Sequence, residues 1–293
     1  MTTFWFIVLG VLFAVYFGLA GIDYGVGMLL PAHRGGRERR LALNAIGPMF
    51  LGNEVWIVGA AGVLIAAFPR LEAELFHATY PLLVAILLGL VAVNAGVQLR
   101  SRGRRPGGFD ALITLASATL AVGWGMLLGS LLNDWPYTLL CGIVHALLVL
   151  AHGCAYLAWR RGDDRMRRIG VPTAFVAALG VVLAGASAGH VRNPLPAVVL
   201  GLLVAGAVAG AGVLLRRRRS GPAVLLTGLA TALPVVVVGV ALYPNVLVPV
   251  ADAAAGDASL RLLAYAAAPL LPVLAAVQVA CWLLFRRRPG VYW

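Results

Sequence analysis

Two acids stand in or beside apolar runs of a chain that has only 11 acidic residues in 293. Asp23 lies in GIDYGVGMLL, residues 21–30, and Glu54 in PMFLGNEVWIVGAAGVLIAAFP, residues 48–69. A charged carboxylate in a bilayer is expensive, so such residues usually face protein or water and often relay protons. An alternative is that both sit at headgroup level and pair with Arg34 to Arg40. Asn53 and Trp56 flank Glu54. Asn53 could hydrogen-bond between helices, and Trp56 could pack in a core or anchor at the interface.

His145 and His152 are seven residues apart, which places them on one helix face but about 10 Å apart along the axis. One metal ion, with ligand bonds of about 2 Å, cannot join both. Each could ligate a separate cofactor with a second ligand from another helix, or serve as a hydrogen-bonded packing residue. His33, His77 and His190 fall in loops or at span ends, and Asp110, Asp163 and Asp164 lie beside arginines that would pair with them. Cys141, Cys154 and Cys281 show no CxxC spacing and read as small apolar packing residues. There is no HExxH, no phosphate-cradling glycine loop and no Ser-His-Asp pattern. These residues point to no metal and no cofactor held by this chain alone.

The elements that carry these side chains follow from composition. The chain is 61% hydrophobic and 12% charged, with a mean hydropathy of +0.93. A soluble domain has about twice that charged fraction, so the solvent for most of this chain is lipid. Apolar blocks recur at about the 20 residues that a spanning helix needs. They place nine spans near 3–29, 50–69, 76–99, 109–132, 136–159, 171–190, 194–215, 222–243 and 259–285. The fold class expected is all-α: a polytopic membrane protein in which residues 1–293 form a single integral-membrane helical domain.

The net charge of +12 comes from 23 arginines and no lysine. Twenty of them fall in alternate gaps, after spans one, three, five, seven and nine, while the other gaps hold only Arg70, Arg192 and Arg261. This is a topology signal and argues against nucleic acid as a partner. It places the N-terminus outside and the C-terminus in the cytoplasm. The first arginine is Arg34, so the first span lacks the charged leader of a signal peptide and reads as a retained helix. Span two is short, and residues 41–51 read as an interfacial segment or a kinked first half around Pro48. Pro234, Pro269 and Pro272 predict kinks in spans eight and nine. Gly125 with Gly129, and Gly206 with Gly210, have the spacing that permits close helix packing.

The stretch Gly21-Ile22-Asp23-Tyr24-Gly25-Val26-Gly27-Met28-Leu29 resembles the first-helix motif of subunit II of cytochrome bd-type quinol oxidases. After a basic loop, Pro48-Met49-Phe50-Leu51-Gly52-Asn53-Glu54-Val55-Trp56 resembles the family's second motif, P-x-W-D-G-N-E-V-W. Weaker likeness continues at Leu139 to Gly142, at His152 to Leu157 and at Tyr243 to Asn245. The resemblance implies one part of an enzyme that reduces dioxygen to water with electrons from membrane quinol in a bacterial plasma membrane. Haem b, haem d and the quinol site would belong to the partner, subunit I. Subunit II would pack against it as a pseudo-symmetric half and contribute proton and oxygen access, with membrane lipid around it. It implies too that a small accessory subunit and a structural quinone or lipid are to be looked for. Asp23 and Glu54 match proton-path positions, and Phe50, Asn53 and Trp56 match channel and packing positions around the motif.

The chain departs from the family at two places. Phe50-Leu51 stands where the family has Trp-Asp, and leucine cannot relay a proton. Ala20 stands where many relatives have a second acid. Two other readings use the same features: a proton-coupled membrane transporter, and a diverged paralogue that only scaffolds or assembles another membrane protein.

Overall fold

The computed structural model describes residues 1–100 and 106–284. Arg102, Arg104, Arg105 and Arg286 to Arg288, which the topology argument uses, lie outside the described residues. Nine long helices carry the chain: α1 (Thr2–Met28), α2 (Gly36–Ala67), α3 (Pro69–Arg100), α4 (Pro106–Ser130), α5 (Tyr137–Arg161), α6 (Asp164–Ser187), α7 (Pro194–Arg216), α8 (Ser220–Leu242) and, after the short α9 (Val250–Ala253), α10 (Asp257–Leu284). Among the described residues there is no β-strand, and nine helices are long and apolar enough to cross a membrane. The expected all-α polytopic architecture is what the chain adopts.

Residues 41–51 belong to α2, which runs as one helix from Gly36 to Ala67. Ala42, Leu43, Ala45, Ile46 and Met49 are all buried against the bundle, and that packing offsets the single hydrogen bond a proline removes. Pro234, Pro269 and Pro272 lie inside helices that run on as single elements. Non-helical dihedrals fall in α3, at Thr79 (φ −120°, ψ 19°), two residues before Pro81. Proline crowds the backbone that precedes it. Thr79 Oγ1 donates to Leu75 O at 2.7 Å across that break.

Helix α1 is central and packs against α2, α4, α5 and α8. It crosses α5 closely at two glycines. A Cβ at Gly25 would lie 2.8 Å from Gly153 Cα and would collide with the Val149 carbonyl. Only hydrogen at both positions lets the two backbones touch, which is how small residues bring membrane helices together. Gly125 and Gly129 do the same for α4 against α5, facing His145 and Cys141. Gly206 meets nothing within 4 Å, so the second predicted pair does not form a crossing.

Large apolar side chains on the outer helices are exposed, among them Leu88 and Val91 on α3, Leu179 on α6, Leu202 on α7 and Leu225 on α8. In lipid this is the expected outer surface. Helix α10 is the extreme case: among its described residues only Leu260 and Gln278 are buried. It leans mainly on α2.

Candidate functional site

The position of Asp23 in the central helix decides its surroundings. It lies in the last third of α1 and is buried. Asn53 Nδ2 donates to Asp23 Oδ2 at 2.8 Å and also lies 3.5 Å from Leu19 O. Gln278 Nε2 donates to Asn53 Oδ1 at 3.1 Å. Trp56 Nε1 in turn donates to Gln278 Oε1 at 3.2 Å. Asn53 and Trp56 are three residues apart, so they share a face of α2, and Phe50, buried, lies on that face one turn earlier. A polar seam thus joins α1, α2 and α10 across an otherwise apolar packing surface. Asp23 Oδ1 is buried and has no hydrogen-bond partner.

Glu54, one residue on from Asn53, points elsewhere because successive helical residues differ by about 100°. It is half-buried and accepts from Asn94 Nδ2 of α3 at 2.5 Å. Asn94 also donates to Leu90 O at 2.9 Å. The predicted site residues therefore fall into two groups. Asp23, Asn53 and Trp56 belong to one chain of hydrogen bonds, and Glu54 belongs to a separate pair. Leu51, in place of the family's acid, is 60% exposed and faces out of the subunit.

Neither acid pairs with Arg34 to Arg40, as the headgroup-level alternative requires. Arg39 is instead 3.2 Å from Asp110, which also forms an ion pair with Arg100. Asp163 caps α6 by accepting from the amides of Arg165 and Met166, and Asp164 is 2.9 Å from Arg167. Asp110 and Asp164 pair with arginines as expected, whereas Asp163 takes backbone amides and lies 3.9 Å from His33 Nε2.

Sequence reasoning missed Gln278 and Asn94. Each is a polar residue inside an apolar span, which is a signal that attention to ionisable groups alone overlooks. It also missed Tyr16 and Tyr24, whose hydroxyls hydrogen-bond to each other within α1. Of the two histidines, His152 follows the packing alternative. His152 bridges three helices, with Nδ1 2.7 Å from Thr227 Oγ1 and Nε2 donating to Gly18 O at 3.1 Å. Both of its ring nitrogens are taken. His145 Nδ1 donates to Ala121 O at 2.6 Å, and its Nε2 is buried without a partner. Among the described residues no three His, Cys, Asp or Glu side chains gather as a metal site, and the cysteines are free.

An average interhelical hydrogen bond in a membrane protein contributes roughly 0.6 kcal/mol. The seam holds α10 against α2 only modestly at that scale. Its chemistry is that of a buried carboxyl group held by amides, with no cation in ion-pair range among the described residues.

Fold and site together define a multi-pass helical membrane protein with an intramembrane acid–amide site at its central helix. The family model for cytochrome bd terminal oxidase subunit II matches residues 1–285, and the chain belongs to that family. It is similar to the cytochrome bd ubiquinol oxidase subunit 2 of Bacillus subtilis (strain 168), at 29% identity over 97% of this chain and 95% of that one. It is also similar to the cytochrome bd-I ubiquinol oxidase subunit 2 of Escherichia coli (strain K12), at 30% identity over 63% of this chain and 55% of that one. A probable cytochrome oxidase subunit 2 of Haemophilus influenzae matches at 29% identity over 62% of this chain and 55% of that one. The chain is thus a subunit of a terminal oxidase in a bacterial membrane.

Proposed function

We propose that this chain is the haem-free subunit II of a bd-type quinol:oxygen oxidoreductase, packed against a haem-bearing subunit I. Residues 1–293 form one integral-membrane unit, with the N-terminus outside and the C-terminus in the cytoplasm; the alternation of arginines between gaps supports this orientation. Haems held by subunit I would supply the chemistry that reduces dioxygen with electrons from quinol. This chain's own residues handle protons and packing.

The observation that carries the reading is the setting of Asp23, which is buried, held by an amide and without a cation. A carboxyl group in that setting is suited to take up and release a proton during turnover. Glu54 serves as a second proton-path residue, reached from the α3 side through Asn94. Asn53 positions Asp23, while Phe50 and Trp56 pack the face of α2 beside it. A structural lipid or quinone has room in a cavity of about 450 Å³ among α4 to α8, lined by apolar side chains with Tyr137, Cys141 and His145.

The test is to express this chain with subunit I, purify through a tag on this chain, and record a dithionite-reduced spectrum. Bands of haem b and haem d in the purified complex support the reading, as does slowed quinol oxidation in Asp23→Asn. A stable, haem-free protein without a large partner would overturn the oxidase assignment and favour a transporter. Unchanged turnover in Asp23→Asn would remove Asp23 from the proton path.

A further inference from the structure

The polar seam contains a residue that cannot reverse its hydrogen bond. An indole N–H is a donor only. Trp56 Nε1 lies 3.2 Å from the Gln278 side-chain amide, so the atom of Gln278 facing it must be the carbonyl oxygen. The Gln278 NH₂ group then faces Asn53, 3.1 Å away, and the atom that receives it must be Asn53 Oδ1. That leaves Asn53 Nδ2 pointing at Asp23 Oδ2, at 2.8 Å. The orientation of both amides therefore follows from Trp56 and not from a choice between two equivalent flips. The Leu19 carbonyl, also an acceptor only, favours the same orientation of Asn53 from 3.5 Å.

A consequence reaches Asp23. Its Oδ2 accepts the Asn53 hydrogen bond, and a carbonyl oxygen accepts better than a hydroxyl, so a proton on this carboxyl group is favoured on Oδ1. That atom is buried and has no hydrogen-bond partner among the described residues.

We propose that Gln278, on the last long helix, is a positioning residue for proton transfer at Asp23. It transmits the one-way donor character of Trp56 through Asn53 and keeps Oδ1 the proton-bearing oxygen. The packing of α10 supports this role. Among its described residues only Leu260 and Gln278 are buried, so the helix turns a polar side chain inward where an apolar one would fill the same space. Gln278 is 9% exposed, and both of its amide atoms are engaged. This rests on the assignment of Asp23 to the proton path.

The experiment uses the assembled two-subunit oxidase. Gln278→Leu removes both hydrogen bonds, and Gln278→Glu keeps the size and the acceptor for Trp56. An ionised glutamate at this place accepts from Trp56 and also draws Asn53 Nδ2 to itself. Asn53 then presents Oδ1 to Asp23 Oδ2, which demands a proton on the wrong oxygen. Turnover is measured per haem, and the carboxyl band removed by Asp23→Asn is followed in redox-difference infrared spectra. With haem content at the level of the unaltered enzyme, both variants should lose turnover roughly tenfold, below the roughly 10²–10⁴-fold range of a positioned acid–base group. The Asp23 band should move to higher frequency in Gln278→Glu, as its carbonyl loses the Asn53 hydrogen bond, and by less in Gln278→Leu, where Asn53 loses its support but is not reversed. A merely structural Gln278 would change yield or haem content and leave the band in place. If Asp23→Asn slows turnover but both Gln278 variants keep turnover and band unchanged, the positioning role is overturned and the proton path stands. If Asp23→Asn itself leaves turnover unchanged, the proton-path assignment fails first. Trp56→Phe checks the source of the polarity: it should shift the same band, and a band that stays put in Trp56→Phe would overturn the one-way argument.

Discussion

Asp23 and Asp110 are almost equally buried, at 4% and 5% exposure, yet they live in opposite surroundings. Asp110 opens α4 and meets two guanidinium groups, those of Arg39 and Arg100, tying together the starts of α2 and α4 and the end of α3. Asp23 meets one amide and no cation. The difference separates a charge that is balanced in place from a carboxyl group free to exchange a proton. Burial alone does not mark a functional acid. The chemical type of its partners does, because an ion pair fixes the charge and an amide leaves both states open.

The comparison can be broken most forcefully at Asp110. Asp110→Leu strands the buried Arg100 without its carboxylate. Loss of one partner from a buried pair costs about 3–5 kcal/mol, so the purified complex should melt far lower or fail to accumulate. The double variant Asp110→Leu with Arg100→Leu should recover much of that loss. Asp23→Asn should do the reverse. The substitution preserves shape and hydrogen bonding, so the melting temperature should stay close to that of the unaltered complex. Turnover should fall about 100-fold, equivalent to about 2.7 kcal/mol on the barrier. A large loss of stability with little loss of turnover would show that Asp23 is a packing residue like Asp110.

A third variant separates assembly from proton chemistry. Gly25→Ala puts a methyl group into the backbone of α5 at Gly153. Overpacking of this kind costs about 1–3 kcal/mol. Yield and melting temperature should drop, while turnover per haem in what assembles should change far less than in Asp23→Asn. A smaller effect is expected from Asn94→Leu, which removes the donor to Glu54 and leaves the Asp23 seam untouched. Turnover should fall only a few-fold, on the order of 1 kcal/mol, and the infrared band of Asp23 should not move. The least effect is expected from Asp164→Asn, where the carboxylate is solvent-exposed and pairs with Arg167 at the surface. Such pairs contribute little, and neither melting temperature nor turnover should change measurably.

Much of the site was legible along the chain. Asp23 and Glu54 stood out as acids in apolar runs, and the motif around Asn53 and Trp56 drew attention to residues that the structure joins to Asp23. The separation of Asp23 from Glu54 into two hydrogen-bonded groups was not legible. Neighbouring positions on α2 face different helices, and which helix lies opposite each is a matter of packing. Pro81 marks the only non-helical residue recorded inside a long helix among the described residues, at Thr79. Pro234, Pro269 and Pro272, which carry the same local chemistry, lie within helices that continue.

The amino-acid sequence by itself determined that the chain lives in a bilayer, how many times it crosses, which gaps carry the arginines and where the two acids interrupt apolar runs. Those properties are local: each depends on the length and composition of one short segment in water or lipid. Only the tertiary structure decided that Gln278 completes the hydrogen-bond chain to Asp23. Its contacts with Asn53 and Trp56 span 225 and 222 residues, and no pattern within either segment encodes the other. They meet because α10 leans on α2, and α2 on α1, in a bundle where Gly25 and Gly153 let α1 and α5 touch.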